Sequence, residues 1–250
     1  MNETIRQLYD RRSVRVFEDR PISQQDRQTI LEAAIMAPSA GCQQFYTILD
    51  ITDRELKEKL ARTCDDQPFI AKAKMVLIFL ADCRKWYRGF HAAGCFPRKP
   101  GAGDLLLACA DACIAAQNAV TAAESLGIGS CYIGDIIENV EIHRDILRLP
   151  PLVVPAAMLV FGYPTESQKL REKPARAGTE FVVSENSYPE MDDDYLRRMF
   201  GVRTAGAPYE EWMRAFFSRK YDSDFAREMT RSAEIYLKDF YPAAEDGAAE

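Results

Sequence analysis

A cluster of arginines and one serine near the amino terminus has the composition of a phosphate site. Arg11, Arg12, Ser13 and Arg15 place three guanidinium groups and a hydroxyl within five residues. Planar guanidinium groups donate paired hydrogen bonds to anionic oxygens, so the cluster suits a dianionic phosphate. Taken alone, it is better explained as surface arginines that pair with carboxylates such as Glu18, because surface charge runs are common and contribute little.

Two further segments have the small residues that let a backbone approach a flat ligand. Residues 37–46, APSAGCQQFY, add amides that donate and accept hydrogen bonds. Residues 127–134, GIGSCYIG, could bring backbone N–H groups close to a ring. Each also has a simpler explanation, the first as a loop that ends a helix at Pro38 and the second as a helix cap leading into a strand. Each segment is ambiguous on its own.

Alternating helical and strand patterns must position these segments. A helix is predicted from Ser23, where Ser-x-x-Asp resembles a capping box, to the break at Pro38. A long helix is predicted from Asp104 to Leu126, closed by Gly127. Strands are predicted at 46–51, 75–81, 128–133 and 154–162. The pattern indicates an α+β protein, and from residue 178 onward aromatic and charged residues at helical spacing predict an extension.

Composition excludes several classes of function. The chain has 250 residues, a net charge of −6 and a pI near 5.2, whereas nucleic-acid binding normally needs a broad basic face, so no nucleic-acid partner is expected. The amino terminus lacks the apolar region of a signal peptide. Polar residues such as Asp111 interrupt the apolar stretch 105–126, so we expect no membrane span and a cytoplasmic protein.

The cysteines and histidines suggest no metal centre. Seven cysteines are scattered without paired CxxC motifs, and Cys109 and Cys113, which share a helical face, are too few to hold a structural metal. We therefore expect no metal site. His143 lies in a charged helix and is expected to be solvated.

Together and in this order, the segments resemble the nitroreductase family. The features are RRSVR-x-F, APS with a Gln five positions later, a long helix containing Ala-Gln-Asn, LGIGSCYIG, and GYP before a basic segment. The resemblance implies an α+β three-layer sandwich with a central mixed sheet and a long central helix. It divides the chain into a nitroreductase-like FMN-binding domain, residues 1–188, and a helical C-terminal extension, residues 189–250, which is expected to pack on the dimer partner.

The resemblance also implies a homodimer with FMN at its interface, reduced by NADH or NADPH. The phosphate and one edge of the isoalloxazine ring would contact Arg11, Arg12, Ser13 and Arg15, joined at the phosphate by Lys173 and Arg176. The partner chain would lend a loop containing Pro38, Ser39, Ala40, Cys42 and Gln44. The stretch passing the reactive ring nitrogen would be Tyr132, Ile133 and Gly134. Two positions depart from the family pattern: Cys42 stands where Asn is frequent, and Phe45 replaces a frequent Pro.

The implied activity is ping-pong hydride transfer from NAD(P)H through flavin to a nitroaromatic, a quinone or a similar flat acceptor. No side chain is assigned a catalytic role, because the cofactor performs the difficult chemistry. Trp86, Tyr87, Phe90 and Phe96 are candidates to line the acceptor slot. Three alternatives stay open: a dehalogenating or flavin-processing member of the family, a flavin carrier or redox sensor with little turnover, and a helical interaction module without flavin.

Overall fold

The computed structural model describes residues 1–241, which form two compact units. Within the described residues, the first unit is Met1–Leu170 together with residues 228–241, and the second is Arg171–Arg227. The domain division expected at residue 188 stays a prediction. The helices of the described chain are α1 Glu3–Asp10, α2 Gln24–Ile35, α3 Arg54–Thr63, α4 Pro68–Lys72, α5 Arg84–Ala92, α6 Ala102–Ser125, α7 Val140–Ile146, α8 Glu166–Lys169, α9 Thr179–Val182, α10 Asp193–Gly201, α11 Tyr209–Lys220 and α12 Asp224–Leu237.

One sheet of four strands lies in the first unit. The strands are β1 Tyr46–Asp50, β2 Met75–Asp82, β3 Gly129–Ile133 and β4 Val153–Gly162, in the order β1-β2-β4-β3. Every ladder between them is antiparallel, so the expected mixed sheet needs correction. β2 and β3 run in the same direction, but β4 inserts between them. Among the described residues, parallel pairing is limited to an isolated bridge between Ser13 and Ser130.

The alternation of side chains along β2 explains the three layers. Met75, Leu77 and Phe79 pack in one apolar cluster with α2 and α6, and the residues between them pack in another with α3 and α4. The predicted α+β fold with helices on both faces of the sheet and one long helix is confirmed. Fully buried alanines such as Ala112 and Ala116 face the sheet from α6. By length and composition alone α6 would pass for a membrane span, but its buried face belongs to this core.

The end of the described chain returns to the first unit. Tyr236 and Phe240 are buried in a cluster with Phe45, Leu105 and Val140. The apolar face of this part therefore fills the chain's own core, and the expectation that residues 189–250 also pack on a dimer partner stays a prediction. In the second unit, by contrast, aromatic residues pack on one another: the Trp212 and Phe216 rings stack with centroids 5.0 Å apart.

Candidate functional site

A short extended segment places the arginine cluster beside β3. The Val14 N–H donates to the Ser130 carbonyl at 2.9 Å, and Ser13 pairs with Ser130. Gly129 makes this approach possible, because a Cβ there would lie 2.5 Å from the Val14 side chain. Val14 is buried and Arg15 is exposed, as alternation along an extended chain requires.

The side chains of Arg11, Ser13 and Arg15 converge on β3. Burial raises the pKa of the Cys131 thiol on β3, and Arg15, Ser13 and Arg11 oppose that shift. Burial likewise raises the pKa of Tyr132 to about 12, and Arg11 acts against it. These residues, predicted from sequence, are therefore brought together at one edge of the sheet.

Arg12 has a different environment, since its guanidinium donates to the backbone carbonyl of Lys169. The expected pairing of the cluster with nearby carboxylates does not extend to Arg11 and Arg15. In residues 1–241 neither has a carboxylate within salt-bridge distance, and Asp19 pairs with Lys74 instead, at 2.6 Å. Two uncompensated guanidinium groups beside a hydroxyl favour an anionic ligand.

The predicted flavin loop, residues 38–44, has an unusual backbone. Gly41, Cys42 and Gln44 have φ values of 56°, 56° and 49°, in the left-handed region that costs energy for residues other than glycine. Cys42 and Gln44 are both exposed. Within the loop, the Gln44 N–H donates to Ser39 Oγ at 3.0 Å. The conformation is thus held by specific contacts; it presents Cys42 outward, and the Gln44 side-chain amide donates to the Ile35 carbonyl at 3.2 Å.

Two residues hold this loop: Asp111, which sequence analysis did not assign to the site, and Trp86, which it placed in the acceptor slot. Asp111 on α6 is 3% exposed and accepts from the N–H groups of Ala40, at 2.9 Å, and Phe45, at 3.2 Å. Trp86 Nε1 donates to the Gln43 carbonyl at 2.7 Å. The one signal available in the sequence was an aspartate in the middle of an apolar helix, which must find donors to be buried.

The remaining predicted residues contribute unequally. Tyr132 is 38% exposed and its hydroxyl donates to Gln117 Oε1 at 3.4 Å, while the Ile133 side chain is buried in the core, so only the Ile133 backbone could contact a ligand. Gly134 and Pro38 are exposed. Lys173 and Arg176 are exposed residues of the second unit, in a stretch without helix or strand, and their role stays a prediction.

Three of the four expected slot residues line one cleft. Trp86, Tyr87 and Phe90 on α5 border a cavity of about 340 Å³ together with Gln43 of the loop. Phe96 is 97% exposed and lies outside it. This aromatic cleft has a size and lining suited to a small flat molecule.

His143 is buried, and the expectation that it is solvated is wrong. It lies on the inner face of α7, with Nε2 2.8 Å from Thr63 Oγ1, and burial lowers its pKa. In the part of the chain that the structure describes, no three His, Cys, Asp or Glu side chains are arranged to hold a metal ion.

The burial of Glu138, which lies near His143, should make the stability of the protein depend on pH. Burial raises the pKa of Glu138 to about 7, and Asp135, Asp65 and Glu228 add to the shift. The carboxyl group of Glu138 therefore binds its proton more tightly in the folded state than in the unfolded chain. The resulting stabilisation is complete below the ordinary pKa of glutamate and is lost as pH rises through about 7. We expect Glu138→Gln to raise Tm by several degrees at about pH 8 and to change it little at about pH 4.

The matched control for this experiment is Glu141→Gln. Hydrogen bonding from Arg231 lowers the pKa of Glu141 to about 2, so removing this charge should lower Tm at high pH rather than raise it. A Glu138→Gln protein that melts at or below the wild-type temperature at high pH would show that the Glu138 carboxylate is not a destabilising charge.

Comparisons with known proteins agree on one family. The sequence pattern that describes the Nitroreductase family matches residues 8–163. The chain is 38% identical over 199 residues to the oxygen-insensitive NADPH nitroreductase of Salmonella typhimurium, covering 79% of this chain and 80% of the relative. It is 31% identical to an FMN reductase of Bacillus subtilis that uses NAD(P)H, over 97% of this chain and 94% of the relative. The solved NADPH:FMN oxidoreductase from Vibrio harveyi, complexed with NAD⁺, matches with a TM-score of 0.76 and 27% identity, over 94% of this chain and 98% of that one.

Proposed function

The chain belongs to the nitroreductase family, and from that membership we propose that it is an FMN-dependent enzyme that uses NAD(P)H to reduce small flat acceptors. The observation that carries the proposal is the convergence of Arg11, Ser13 and Arg15 on β3, with no carboxylate among the described residues to neutralise the two arginines. This donor set fits a phosphate-bearing ligand whose flat part lies along Tyr132 and Gly134.

The residues of this chain would hold FMN in three ways. Arg15 and Ser13 bind the phosphate by charge-assisted hydrogen bonds. The backbone at Tyr132, Ile133 and Gly134 passes one face of the ring. The loop at residues 38–44 offers the Gln44 amide. When bound, FMN supplies the hydride-accepting and hydride-donating chemistry, so the protein's part is binding and orientation.

The aromatic cleft of Trp86, Tyr87 and Phe90 is proposed to orient the acceptor. Its rings exclude water and hold a planar nitroaromatic or quinone, and positioning of this kind accounts for a large share of catalysis when reacting atoms are brought to about 3–3.5 Å. The nicotinamide and the acceptor would use the same face in turn, in a ping-pong order.

The flavin content of the purified protein tests this function. We expect yellow protein that releases about one FMN per chain on heating and that oxidises NAD(P)H continuously with menadione or a nitrofuran. A flavin carrier would instead show a single reduction event and stop. Colourless protein that does not take up added FMN would contradict the proposal.

We also propose that the chain acts as a cytoplasmic homodimer. Large apolar side chains on α1 and α6 are exposed, including Leu8 (53%), Leu106 (72%) and Leu107 (50%), and α1 packs beside α6. An apolar surface of this kind favours a protein partner, here a second copy of the chain. All seven cysteines are free, which is typical of a reducing compartment.

Mixing of two defective variants tests whether the site is shared between chains. If Arg15 comes from one chain and Gln44 from the other, a dimer of one Arg15→Ala chain and one Gln44→Ala chain has one doubly defective site and one intact site. Random exchange puts about half of the dimers in the mixed state, so about a quarter of wild-type activity should return. If mass spectrometry confirms exchange and no activity returns, both residues serve the same chain's site.

A further inference from the structure

The aromatic cleft contains one feature that the proposed function does not use, an ion pair in its lining. Among residues 1–241, the charged residues that line this cleft are Arg98 and Asp104. Arg98 Nη1 donates to Asp104 Oδ2 at 2.5 Å, and Arg98 Nη2 donates to Asp104 Oδ1 at 3.0 Å. This is the paired geometry in which one guanidinium group binds one carboxylate. The Nη1 and Nη2 donors of Arg98 are therefore already engaged.

Asp104 is held in place by a second contact besides Arg98. It lies in the first turn of α6, where its Oδ2 also accepts from the Gly101 N–H at 2.8 Å. The Asp104 side chain is 21% exposed, whereas that of Arg98 is 74% exposed. Hydrogen bonding from Arg98 lowers the pKa of Asp104, so the carboxylate is ionised at neutral pH. Asp104 is thus a fixed negative charge in the wall of the cleft, and Arg98 is the more exposed partner that neutralises it.

The neighbouring lysines do not add charge to the cleft. Lys85 Nζ donates to the Tyr46 carbonyl, Lys99 Nζ donates to the Tyr241 carbonyl at 3.2 Å, and neither lysine lines the cleft. Burial raises the pKa of the Cys83 thiol in the lining to about 12, so this group is neutral. The lining therefore has no net charge. Such a cleft favours an uncharged ligand, because a charged one would lose solvation without gaining a partner.

We propose that the pair of Arg98 and Asp104 sets the charge specificity for the acceptor, so that the enzyme selects uncharged planar acceptors against those that carry a carboxylate. An anionic acceptor has to separate the pair to reach Arg98, and it then meets the carboxylate of Asp104, which repels it. An uncharged acceptor enters without disturbing the pair. This inference rests on the proposed function, because it places the acceptor in the aromatic cleft.

Two variants that break the pair from opposite sides test the inference. Asp104→Asn keeps an oxygen that can accept from Gly101 and frees Arg98, whereas Arg98→Gln leaves the Asp104 carboxylate without its partner. The measured quantity is the ratio of kcat/KM for para-nitrobenzamide to kcat/KM for para-nitrobenzoate, with the FMN-loaded enzyme and saturating NAD(P)H. Each ratio is divided by that of wild type, so the different intrinsic reactivities of the two acceptors cancel. We expect the ratio to fall about tenfold in Asp104→Asn, which gains a charge-assisted contact with the benzoate, and to rise about tenfold in Arg98→Gln.

Glu58→Gln on α3 is the matched control, since it breaks an ion pair with Arg54 that lies outside the cleft. It should leave the ratio unchanged. A general loss of stability lowers both kcat/KM values together and does not move the ratio in opposite directions in the two cleft variants. A ratio that neither cleft variant changes, or that moves in the same direction in both, would overturn the inference and leave the proposed function intact. Wild-type protein that reduces neither acceptor, nor menadione, would instead overturn the proposed function itself.

Discussion

Asp111→Ala is expected to disorganise the loop at residues 38–44 and to weaken FMN binding by about tenfold or more. The substitution leaves the N–H groups of Ala40 and Phe45 without their acceptor, and an unsatisfied buried donor costs about 1–3 kcal/mol. The left-handed conformations at Cys42 and Gln44 depend on such contacts, so the loop should relax when they are removed. Fluorescence titration with FMN and thermal melting of the apoprotein measure the two effects.

Asn118→Ala provides the matched control on the same helix. Its amide donates to the Ala33 carbonyl at 3.1 Å and does not contact the loop. It should lower Tm without a specific loss of FMN affinity. If the two variants lose FMN affinity to the same extent, Asp111 acts through general stability and does not position the loop.

Tyr236→Ala is expected to destabilise the first unit by about 3–5 kcal/mol, the usual cost of deleting a buried aromatic side chain. Tyr236 is 1% exposed and packs with Phe45 and Val140, so the substitution leaves a cavity beside the residue that ends the flavin loop. Denaturant unfolding measures the loss.

Tyr236→Phe separates packing from polarity at this position. In residues 1–241 the buried hydroxyl has no hydrogen-bond partner, so its removal should leave stability unchanged or raise it slightly. A Tyr236→Ala protein as stable as wild type would show that α12 does not contribute to the core. Because this helix is part of the chain's own core, truncation after Tyr188 would unfold the protein whether or not the extension also contacts a partner.

Local sequence patterns predicted the parts of the fold that depend on neighbours in the chain. The apolar run of β2 and the long helix α6 lie within a few residues of their predicted bounds, because periodicity is a local property. The order of the strands was not predicted, since nothing near β4 in the sequence indicates that it inserts between β2 and β3.

The candidate site likewise has parts that local sequence patterns indicated and parts that they did not. Arg11, Ser13 and Arg15 lie within five residues of one another, and their composition suits a phosphate, although only the resemblance of several segments together assigned them to one. The contacts of Asp111 with Ala40 and Phe45 join residues 71 and 66 positions apart, which no local pattern reveals. The prediction that His143 is solvated was wrong for a related reason. Its charged neighbours on α7 suggested exposure, but the inner face of that helix is buried.

Anaerobic stopped-flow mixing of the purified protein with NADPH, and separately with NADH, tests the central claim most directly. The claim predicts that flavin absorbance at about 450 nm falls rapidly with at least one nucleotide and recovers when menadione or a nitrofuran is added, over repeated cycles. Folded protein that carries FMN and keeps its absorbance with both nucleotides would contradict an NAD(P)H-dependent oxidoreductase.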